Sequence, residues 1–244
     1  PFIVHDKGYT VTAWTLLMST ETGEPMLLVD SSRLTLERTA ATTAVAVKYL
    51  SKKEAKKLAV IGSGAQALAH IRYVSGLRNW ESIKVWSLNS SELTAEKQEE
   101  FKRAGNGVLE FAPTKEIALE EADVILLCTS AASAVIKACD IKGSPLITSI
   151  STNAPGAHEI DPAMLANMEV YCDCTATTAT VAGEMKLAAQ SGCWSPEMVK
   201  GDLGALVNGS CPVPTGDKPV FFRSIGQGLE DVAVALAVMK EFQK

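Results

Sequence analysis

The apolar residues of this chain follow two patterns, short continuous runs and a helical spacing of three or four. The continuous run at residues 58–61 and the largely apolar stretch at residues 123–129 predict strands of a parallel sheet, the first of them buried on both faces. Residues 68, 71, 74 and 77 instead recur every third position, which predicts an amphipathic helix. Strands and helices alternate in this way from about residue 55 to residue 173, with further strands expected at 83–86, 108–111, 146–150 and 169–172. The pattern predicts a Rossmann-like α/β fold with a doubly wound parallel sheet.

A glycine-rich turn joins the strand at 58–61 to the helix that follows it. Its sequence, Gly62-Ser63-Gly64-Ala65-Gln66-Ala67, departs from a GxGxxG pattern only at the last position. Glycines let a ligand approach the backbone, and the free N–H groups at the start of a helix favour an anion. Between a strand and a helix, this turn predicts the first half of a dinucleotide-binding unit. An ordinary turn of an α/β protein is the alternative.

The two ends of the chain differ from its middle. Apolar and β-branched stretches at 9–18 and 26–29 predict a hairpin, and a helix is expected from the polar residues at 30–32 to about residue 50. After residue 173, helices are expected at 175–186, 198–207 and 226–242, with a short strand at 220–222. We therefore expect a dinucleotide-binding domain over residues 51–204. A smaller α+β domain would be built from residues 1–50 and 205–244.

Polar residues follow several predicted strands, at the edge where open α/β sheets bind ligands. Ser87 and Asn89 follow the strand at 83–86, and no acid appears before Glu92. An acid there would bind the ribose hydroxyls of NAD, whereas hydroxyl and amide groups accept a 2′-phosphate without repelling it. NADPH is therefore expected to be preferred over NADH, although the arginine that often binds the phosphate is missing. Two further strands are followed by the polar segments 128–130 and 151–153. Each segment could contact a ligand or could be a polar loop without a ligand.

Arg38 lies on the first predicted helix, in the segment Glu37-Arg38-Thr39-Ala40. The planar guanidinium suits a substrate carboxylate because it can donate two parallel hydrogen bonds. From composition alone, an ion pair with a neighbouring acid such as Glu37 is the simpler interpretation.

Composition narrows the class of protein. The 244 residues are 47% hydrophobic and 21% charged, with a net charge of −5, which is typical of a globular protein and argues against nucleic acid or an anionic membrane as partner. No apolar run reaches transmembrane length and the start has no signal-peptide pattern, so a cytoplasmic location is expected. The six cysteines form no CxxC pair and the three histidines are scattered, so no metal site is expected.

Six short segments occur in one order along nearly the whole chain. They are Thr22-Gly23-Glu24-Pro25, Glu37-Arg38-Thr39-Ala40-Ala41, Gly62-Ser63-Gly64-Ala65-Gln66, Asn153-Ala154-Pro155-Gly156 with Glu159-Ile160, Gly183-Glu184, and Phe222-Arg223-Ser224-Ile225-Gly226 with Glu230-Asp231. In this order they resemble the ornithine cyclodeaminase/mu-crystallin family of NAD(P)-dependent proteins. The resemblance implies a Rossmann domain and a dimerisation domain formed by both chain ends, and hence a homodimer.

The resemblance also implies roles for individual residues. Arg38 corresponds to the family arginine that binds the substrate carboxylate. The cofactor contacts that it implies are Thr39, Gly62, Ser63, Gly64, Ala65, Gln66, Thr129, Ser130, Ser224 and Gly226. The strand-end pattern adds Ser87, Asn89 and Ser151 to this set.

Two features depart from the family pattern. Family members carry several dozen residues before the first strand of this chain, with a second substrate arginine and a lysine. Neither residue has a match here, so the N-terminal part of the smaller domain is expected to be shorter. The cyclodeaminase branch has a proton-handling aspartate at the position of Asn153. Because an amide has no usable pKa near neutrality, Asn153 is expected to orient a group rather than move a proton.

These features favour an NAD(P)H-dependent reductase of small imino acids, of the ketimine or pyrroline-2-carboxylate type. Hydride transfer to a protonated imine needs a carboxylate anchor, a cofactor and correct positioning. Arg38 is expected to anchor the substrate, and Asn153 is the expected catalytic residue, holding the imine or the cofactor amide. The alternatives are an ornithine cyclodeaminase, an amino-acid dehydrogenase, or a non-catalytic protein of the mu-crystallin type that binds NADPH and a small ligand.

Overall fold

The computed structural model of the protein describes residues 2–5, 8–151 and 156–242. The strands are β1 (Phe2–His5), β2 (Gly8–Val11), β3 (Trp14–Met18), β4 (Pro25–Asp30), β5 (Lys57–Ile61), β6 (Ser82–Trp86), β7 (Leu109–Phe111), β8 (Val124–Leu127), β9 (Leu146–Ser149), β10 (Glu169–Cys172), β11 (Val199–Asp202) and β12 (Val220–Arg223). The α-helices are α1 (Ser32–Leu50), α2 (Ala65–Val74), α3 (Ala95–Ala104), α4 (Lys115–Leu119), α5 (Thr178–Val181), α6 (Gly183–Gln190), α7 (Leu203–Asn208) and α8 (Gly228–Phe242). Short 3₁₀ helices lie at Ser90–Glu92, Ala138–Asp140, Pro162–Asn167 and Pro196–Met198.

The chain divides into two compact units. The smaller unit contains residues up to Ala40 together with those from Gly226 onwards, and the larger unit extends from Ala41 to Ile225. No helix in the described part of the chain combines the length and the apolar character that crossing a membrane requires.

The larger unit is built on a parallel sheet of eight strands in the order β11-β10-β12-β9-β8-β5-β6-β7. The central strands are buried on both faces, as their continuous apolar runs predict. Along β5, Leu58 and Val60 belong to one apolar layer, and Ala59 and Ile61 belong to the layer on the opposite face. Two apolar layers on one parallel sheet confirm the predicted doubly wound fold.

The order of the strands in the sheet reverses beside β5, and this reversal marks where a ligand is expected to bind. β6 and β7 follow β5 on one side, whereas β8 and β9 lie on the other side. In open parallel sheets, ligands bind at such a reversal, in the crevice outside the carboxyl ends of the strands. The glycine turn follows β5 directly and therefore lies at this point.

The smaller unit contains two antiparallel pairs, β1 with β2 and β3 with β4, and α8 packs against β3. The hairpin of β3 and β4 is the one that the sequence predicts. The strand expected at 9–18 is instead divided into β2 and β3. Between β2 and β3, the carbonyl of Ala13 accepts a hydrogen bond from the N–H of Ser31 at 2.7 Å. This contact is not part of a regular strand pairing.

The assignment of residues 41–50 and three features after residue 173 differ from the expectation. β12 lies between β9 and β10 in the large sheet, so residues 205–225, expected with the chain ends, belong to the larger unit together with residues 41–50. The helix expected at 198–207 is the strand β11 followed by α7, because the Asp202 side chain accepts a hydrogen bond from the Ala205 N–H and caps the helix there. The helix expected at 175–186 is divided into α5 and α6.

Candidate active site

The turn after β5 requires glycine at its first position. Gly62 has a φ of +126°, and a Cβ there would lie 2.3 Å from the carbonyl oxygen of Cys128. The Gly62 N–H donates to the Trp86 carbonyl at 2.8 Å, and the Cys128 N–H donates to the Ile61 carbonyl at 2.8 Å. The turn is thus held between the ends of β6 and β8, at the reversal of strand order.

Helix α2 begins with unsatisfied backbone donors. Gly64 is its N-cap and no side chain caps its first N–H groups, while the space around the Gly64 Cα is open. The side-chain oxygen Oε1 of Gln66 is buried, with no hydrogen-bond partner among the described residues. Orphan N–H groups and the positive end of the helix dipole favour an anion. The residues present at this turn therefore fit the diphosphate of a dinucleotide.

A neutral, hydroxyl-rich surface follows β6. The Ser87 and Ser63 hydroxyl oxygens lie 2.7 Å apart, so the ends of β5 and β6 are joined by a hydrogen bond. Leu88 and Asn89 are exposed, and the first acid is Glu92, at the end of the next 3₁₀ helix. No carboxylate stands at the position where NAD-specific sites carry one.

Glu159 is a fully buried carboxylate that joins the ends of β8 and β9. Its Oε1 accepts from the Thr129 N–H at 2.8 Å and from the Thr129 hydroxyl at 2.7 Å, and its Oε2 accepts from the Ser149 hydroxyl at 2.7 Å. Burial raises the pKa of Glu159, against the opposing effect of these hydrogen bonds. Burial, with the nearby Glu159 charge, also raises the pKa of the Cys128 thiol, which stays protonated. Since the Thr129 hydroxyl proton is used in this way, its oxygen can accept from a cofactor but cannot donate to it.

Arg223 is a buried guanidinium at the end of β12, with 1% of its surface exposed. Its Nη1 donates to the carbonyls of Ser224 at 2.6 Å and Ser149 at 3.4 Å, and its Nη2 donates to the carbonyl of Ser151 at 3.2 Å. Its Nε lies 2.8 Å from Oε1 of the buried Glu184. The guanidinium thereby binds backbone carbonyls at the carboxyl ends of both β9 and β12.

Asp173 fixes the segment that follows β12. Its Oδ2 accepts from the Ser224 hydroxyl at 3.1 Å and from the Ile225 N–H at 2.8 Å. Its Oδ1 accepts from the Thr178 hydroxyl and from the Cys174 N–H. Like Thr129, Ser224 therefore presents an acceptor oxygen rather than a donor.

His70 ties α2 to α1 from within the core. Its Nδ1 donates to the Gln66 carbonyl at 2.7 Å, so the Nε2 is the acceptor for the Thr43 hydroxyl at 2.9 Å. The imidazole is wholly buried, and burial lowers the pKa of His70 to about 4. It is therefore neutral at physiological pH.

Arg38 lies in the smaller unit and is paired with acids of α8. Its Nε lies 3.1 Å from Asp231 Oδ1, and its Nη1 lies 3.4 Å from Glu230 Oε2. A Cβ at Gly226 would lie 2.4 Å from Nη1, so the guanidinium packs directly against the glycine backbone. Arg38 is therefore in ion pairs with acids, as the simpler interpretation expected, but with Glu230 and Asp231 rather than Glu37, which lies 3.6 Å from Arg33.

The larger unit brings most of the predicted cofactor residues to one edge of its sheet. They are Gly62, Ser63, Gly64, Ala65, Gln66, Ser87, Asn89, Thr129, Ser130, Ser151 and Ser224, and each follows the carboxyl end of a strand. Arg38, Thr39 and Gly226 belong to the smaller unit. Asn153 lies outside the described residues, and its role stays a prediction. The described residues contain no cluster of three or more His, Cys, Asp or Glu side chains suited to a metal ion.

Sequence reasoning gave no role to Glu159, Glu184, Arg223, Asp173 or His70. One signal was available, because Glu159, Glu184 and Arg223 each lie within a segment that resembles the family. A charged residue beside an apolar strand, as Arg223 is beside Phe221 and Phe222, is also a sign of a buried polar contact.

Comparison with known proteins places these features in a family. The family model described as "Ornithine cyclodeaminase/mu-crystallin family" matches residues 5–244. Over 240 residues the chain is 53% identical to the NAD(P)H-dependent anabolic L-arginine dehydrogenase DauB of Pseudomonas aeruginosa, a match that covers 98% of this chain and 75% of that protein.

Two of the solved structures that are similar to this chain contain a nicotinamide cofactor. One is the iminosuccinate reductase of Paracoccus denitrificans in complex with NAD⁺, with a TM-score of 0.85 and 30% identity over 94% of this chain and 70% of that chain. The other is an archaeal alanine dehydrogenase dimer with bound NAD, with a TM-score of 0.83 and 26% identity over 94% of this chain and 70% of that chain.

These findings confirm two predictions, the Rossmann-like parallel sheet and the class of NAD(P)-dependent oxidoreductases. The same resemblance, first drawn from six short segments, extends over nearly the whole chain. The chain belongs to the ornithine cyclodeaminase/mu-crystallin family.

Proposed function

We propose that this chain is an NAD(P)H-dependent reductase that converts small imino acids to amino acids. The observation that carries the proposal is the 53% identity to an L-arginine dehydrogenase over 98% of the chain. A second relative is an iminosuccinate reductase. Both names describe redox chemistry at a carbon that bears a nitrogen and a carboxylate. The imino acid that corresponds to L-arginine is therefore the first substrate to test.

The larger unit would hold the cofactor. The uncapped start of α2 would bind the diphosphate, and Gln66 Oε1 and Ser151 Oγ are buried oxygens without a hydrogen-bond partner among the described residues. When bound, the reduced nicotinamide supplies a hydride to the imine carbon, while the electron pair of the C=N bond moves to the protonated nitrogen. Thr129 and Ser224 would contribute acceptor oxygens, because Glu159 and Asp173 take their hydroxyl protons.

Arg38 would hold the substrate carboxylate. A guanidinium keeps its charge at every physiological pH and matches a carboxylate with two parallel donors. Asp231 and Glu230 restrict the guanidinium, and Gly226 leaves it room to pack against the backbone. Asn153 would orient the imine or the cofactor amide without moving a proton.

NADPH is proposed as the preferred cofactor. The segment after β6 offers the hydroxyl of Ser87 and the amide of Asn89 beside the Ser63 hydroxyl, and no carboxylate precedes Glu92 in that segment. A 2′-phosphate would meet donors there without a like charge.

A steady-state assay tests the proposed reaction. The 2-oxo acid of arginine with ammonium, and separately pyrroline-2-carboxylate, would each be mixed with NADPH and the full chain. We expect NADPH oxidation and formation of the amino acid in at least one mixture. Proline formed from ornithine and NAD⁺, with no imine reduction, would indicate a cyclodeaminase instead. Tight NADPH binding without turnover of any imine would indicate a binding protein.

A second copy of this chain is proposed as the partner of the β3–β4 hairpin. One face of the hairpin exposes five large apolar side chains: Trp14, Leu16, Met18, Met26 and Leu28. Such a patch on a two-stranded ribbon marks an interaction surface, and the archaeal relative is a dimer. Sedimentation is expected to show a dimer that Leu16→Lys dissociates, whereas Leu229→Lys, at an exposed position of α8, tests whether that helix takes part. A monomeric wild type would contradict the proposal.

A cytoplasmic location is also proposed. All six cysteines are free, as expected in a reducing compartment. Fractionation of cells that produce the protein tests this directly.

A further inference from the structure

Arg223 and Glu184 form a buried ion pair, and burying two charges has a high cost in desolvation free energy. The ion pair is almost fully removed from solvent, and among the described residues neither carboxylate oxygen of Glu184 nor Nε of Arg223 makes a hydrogen bond, although Nε and Oε1 lie 2.8 Å apart. Taking each ion out of water costs several kcal/mol, and well-packed apolar side chains often replace a buried pair with no loss of stability. Stability alone therefore does not explain this pair, since Phe221 and Phe222 occupy the same strand.

The guanidinium has a geometric use that no apolar side chain can replace. It donates to three carbonyls, those of Ser149, Ser151 and Ser224, and these lie where β9 and β12 end. Because the guanidinium is planar and rigid, three such contacts fix the distance between the two strand ends. Glu184, from the first turn of α6, places a carboxylate oxygen 2.8 Å from Nε and so pairs with the charge of the guanidinium.

The contacts continue to the neighbouring strand. Ser149, whose carbonyl accepts from Arg223, also donates its hydroxyl to Glu159, and Glu159 binds both the N–H and the hydroxyl of Thr129. One connected set of buried polar groups therefore spaces the ends of β8, β9 and β12. A set in which each member fixes its neighbour is stiffer than the separate contacts.

We propose that Arg223, held by Glu184, is a positioning residue for hydride transfer, because it sets the backbone of Ser151 and Ser224 where the cofactor would bind. The proposal rests on the proposed function, in which both serines contact the cofactor. Misplacing a reacting group by about 1 Å can cost about a hundredfold in rate. The loss is therefore expected in kcat more than in folding.

Arg223→Lys is the decisive variant. Lysine keeps the charge but presents a single ammonium, which cannot bind three carbonyls and Glu184 in one plane. We expect kcat for imine reduction to fall roughly 10- to 100-fold, with a change in the KM for NADPH of less than about threefold. The fluorescence of bound NADPH is also expected to shift, because the surroundings of the nicotinamide change. Glu184→Gln removes the charge partner but keeps an oxygen of the same shape beside Nε, and the three carbonyl contacts of Arg223 remain, so a loss in kcat of less than about tenfold is expected.

Arg78→Lys provides a matched control. Arg78 also binds backbone carbonyls, including those of Lys48, at 3.1 Å, and Lys52, at 3.1 Å, but it does so at the end of α1, away from the carboxyl edge of the sheet. Arg78→Lys is expected to lower thermal stability while leaving kcat and bound-NADPH fluorescence unchanged. If Arg223→Lys behaves in the same way, or if its kcat per NADPH-binding site equals that of the wild type, the positioning role is overturned.

Failure of the proposed function can be told apart from failure of this inference. If wild type binds NADPH but reduces no imine, the proposed reaction is wrong. The fluorescence of bound NADPH still tests the positioning role, since a spectrum identical in wild type and Arg223→Lys would overturn it.

Discussion

Gly62 and Cys128 meet through their backbones where the strand order of the sheet reverses. A Cβ on Gly62 would lie 2.3 Å from the Cys128 carbonyl oxygen, a group that cannot move aside without disturbing β8. The contact brings the turn after β5 directly against the segment that carries Thr129. The glycine turn and one predicted cofactor contact, Thr129, are thus held in one fixed arrangement.

Gly62→Ala is expected to destabilise the protein and to weaken cofactor binding. The substitution meets a backbone atom and also demands a φ of +126°, which alanine rarely adopts. We expect the free energy of unfolding to fall by about 2–4 kcal/mol. The dissociation constant for NADPH is expected to rise at least tenfold. Gly76→Ala is the control, because its Cβ would enter open space. Urea unfolding and fluorescence titration measure both effects, and equal behaviour of the two variants would contradict the prediction.

His70 is expected to make stability depend on pH in the mildly acidic range. Its pKa is about 4 when folded and 6.5 when unfolded, so between these values the unfolded chain binds the proton more readily. Stability is therefore complete above about pH 6.5 and is lost as the pH falls toward 4, by about 3 kcal/mol in total. In His70→Gln this part of the pH dependence should disappear.

Thr43→Val separates the titration of His70 from its packing. The variant removes the hydroxyl that donates to Nε2 but keeps the imidazole buried. We expect a uniform loss of about 1 kcal/mol at neutral pH, with the dependence on acid retained. Denaturant unfolding at several pH values measures both variants. If His70→Gln kept the slope of the wild type, the buried histidine would not be its source.

Ser87→Asp is expected to exchange the cofactor preference. A carboxylate at this position would bind ribose hydroxyls and repel a 2′-phosphate. The ratio of kcat/KM for NADPH to that for NADH should fall at least tenfold. Ser91→Asp adds the same charge at an exposed position of the next 3₁₀ turn and should leave the ratio nearly unchanged. A wild type that already prefers NADH would refute the interpretation of this segment.

Arg38→Lys is expected to weaken substrate binding selectively. The ammonium loses the two parallel donors, so the KM for the imino acid should rise roughly 10- to 100-fold. The dissociation constant of NADPH, bound by the larger unit, should change less than about twofold. Arg33→Lys alters an exposed arginine one turn earlier and serves as the control. A normal KM in Arg38→Lys would exclude Arg38 as the carboxylate anchor.

The sequence was informative where local pattern and tertiary position agree. The runs at 58–61 and 124–127 are buried strands because they are apolar without interruption, and the glycine turn at 62–64 follows from backbone chemistry. The position of β12 was not predictable in this way. Its four residues form a short apolar run that ends in an arginine, and only pairing with β9 and β10 reveals a central strand.

The buried charges were missed for a similar reason. Glu159 and Arg223 are distant in sequence and are joined through Ser149, which contacts both. Such a network is set by how the strand ends come together, and neither periodicity nor spacing contains that information. For Arg38, the residue type alone suggested a role in binding a carboxylate. Its acidic partners, Glu230 and Asp231, could not be predicted because they lie nearly two hundred residues away in the sequence.

Transfer of a labelled hydride is the direct test of whether this chain reduces an imino acid with NADPH. The full chain would be incubated with the 2-oxo acid of arginine, ammonium and NADPH that carries deuterium at C4 of the nicotinamide, with each face labelled in turn. We expect L-arginine with one deuterium on its α-carbon from one of the two labelled cofactors. Oxidised cofactor without deuterium in any amino acid, or no oxidation with this or any other imino acid, would contradict it.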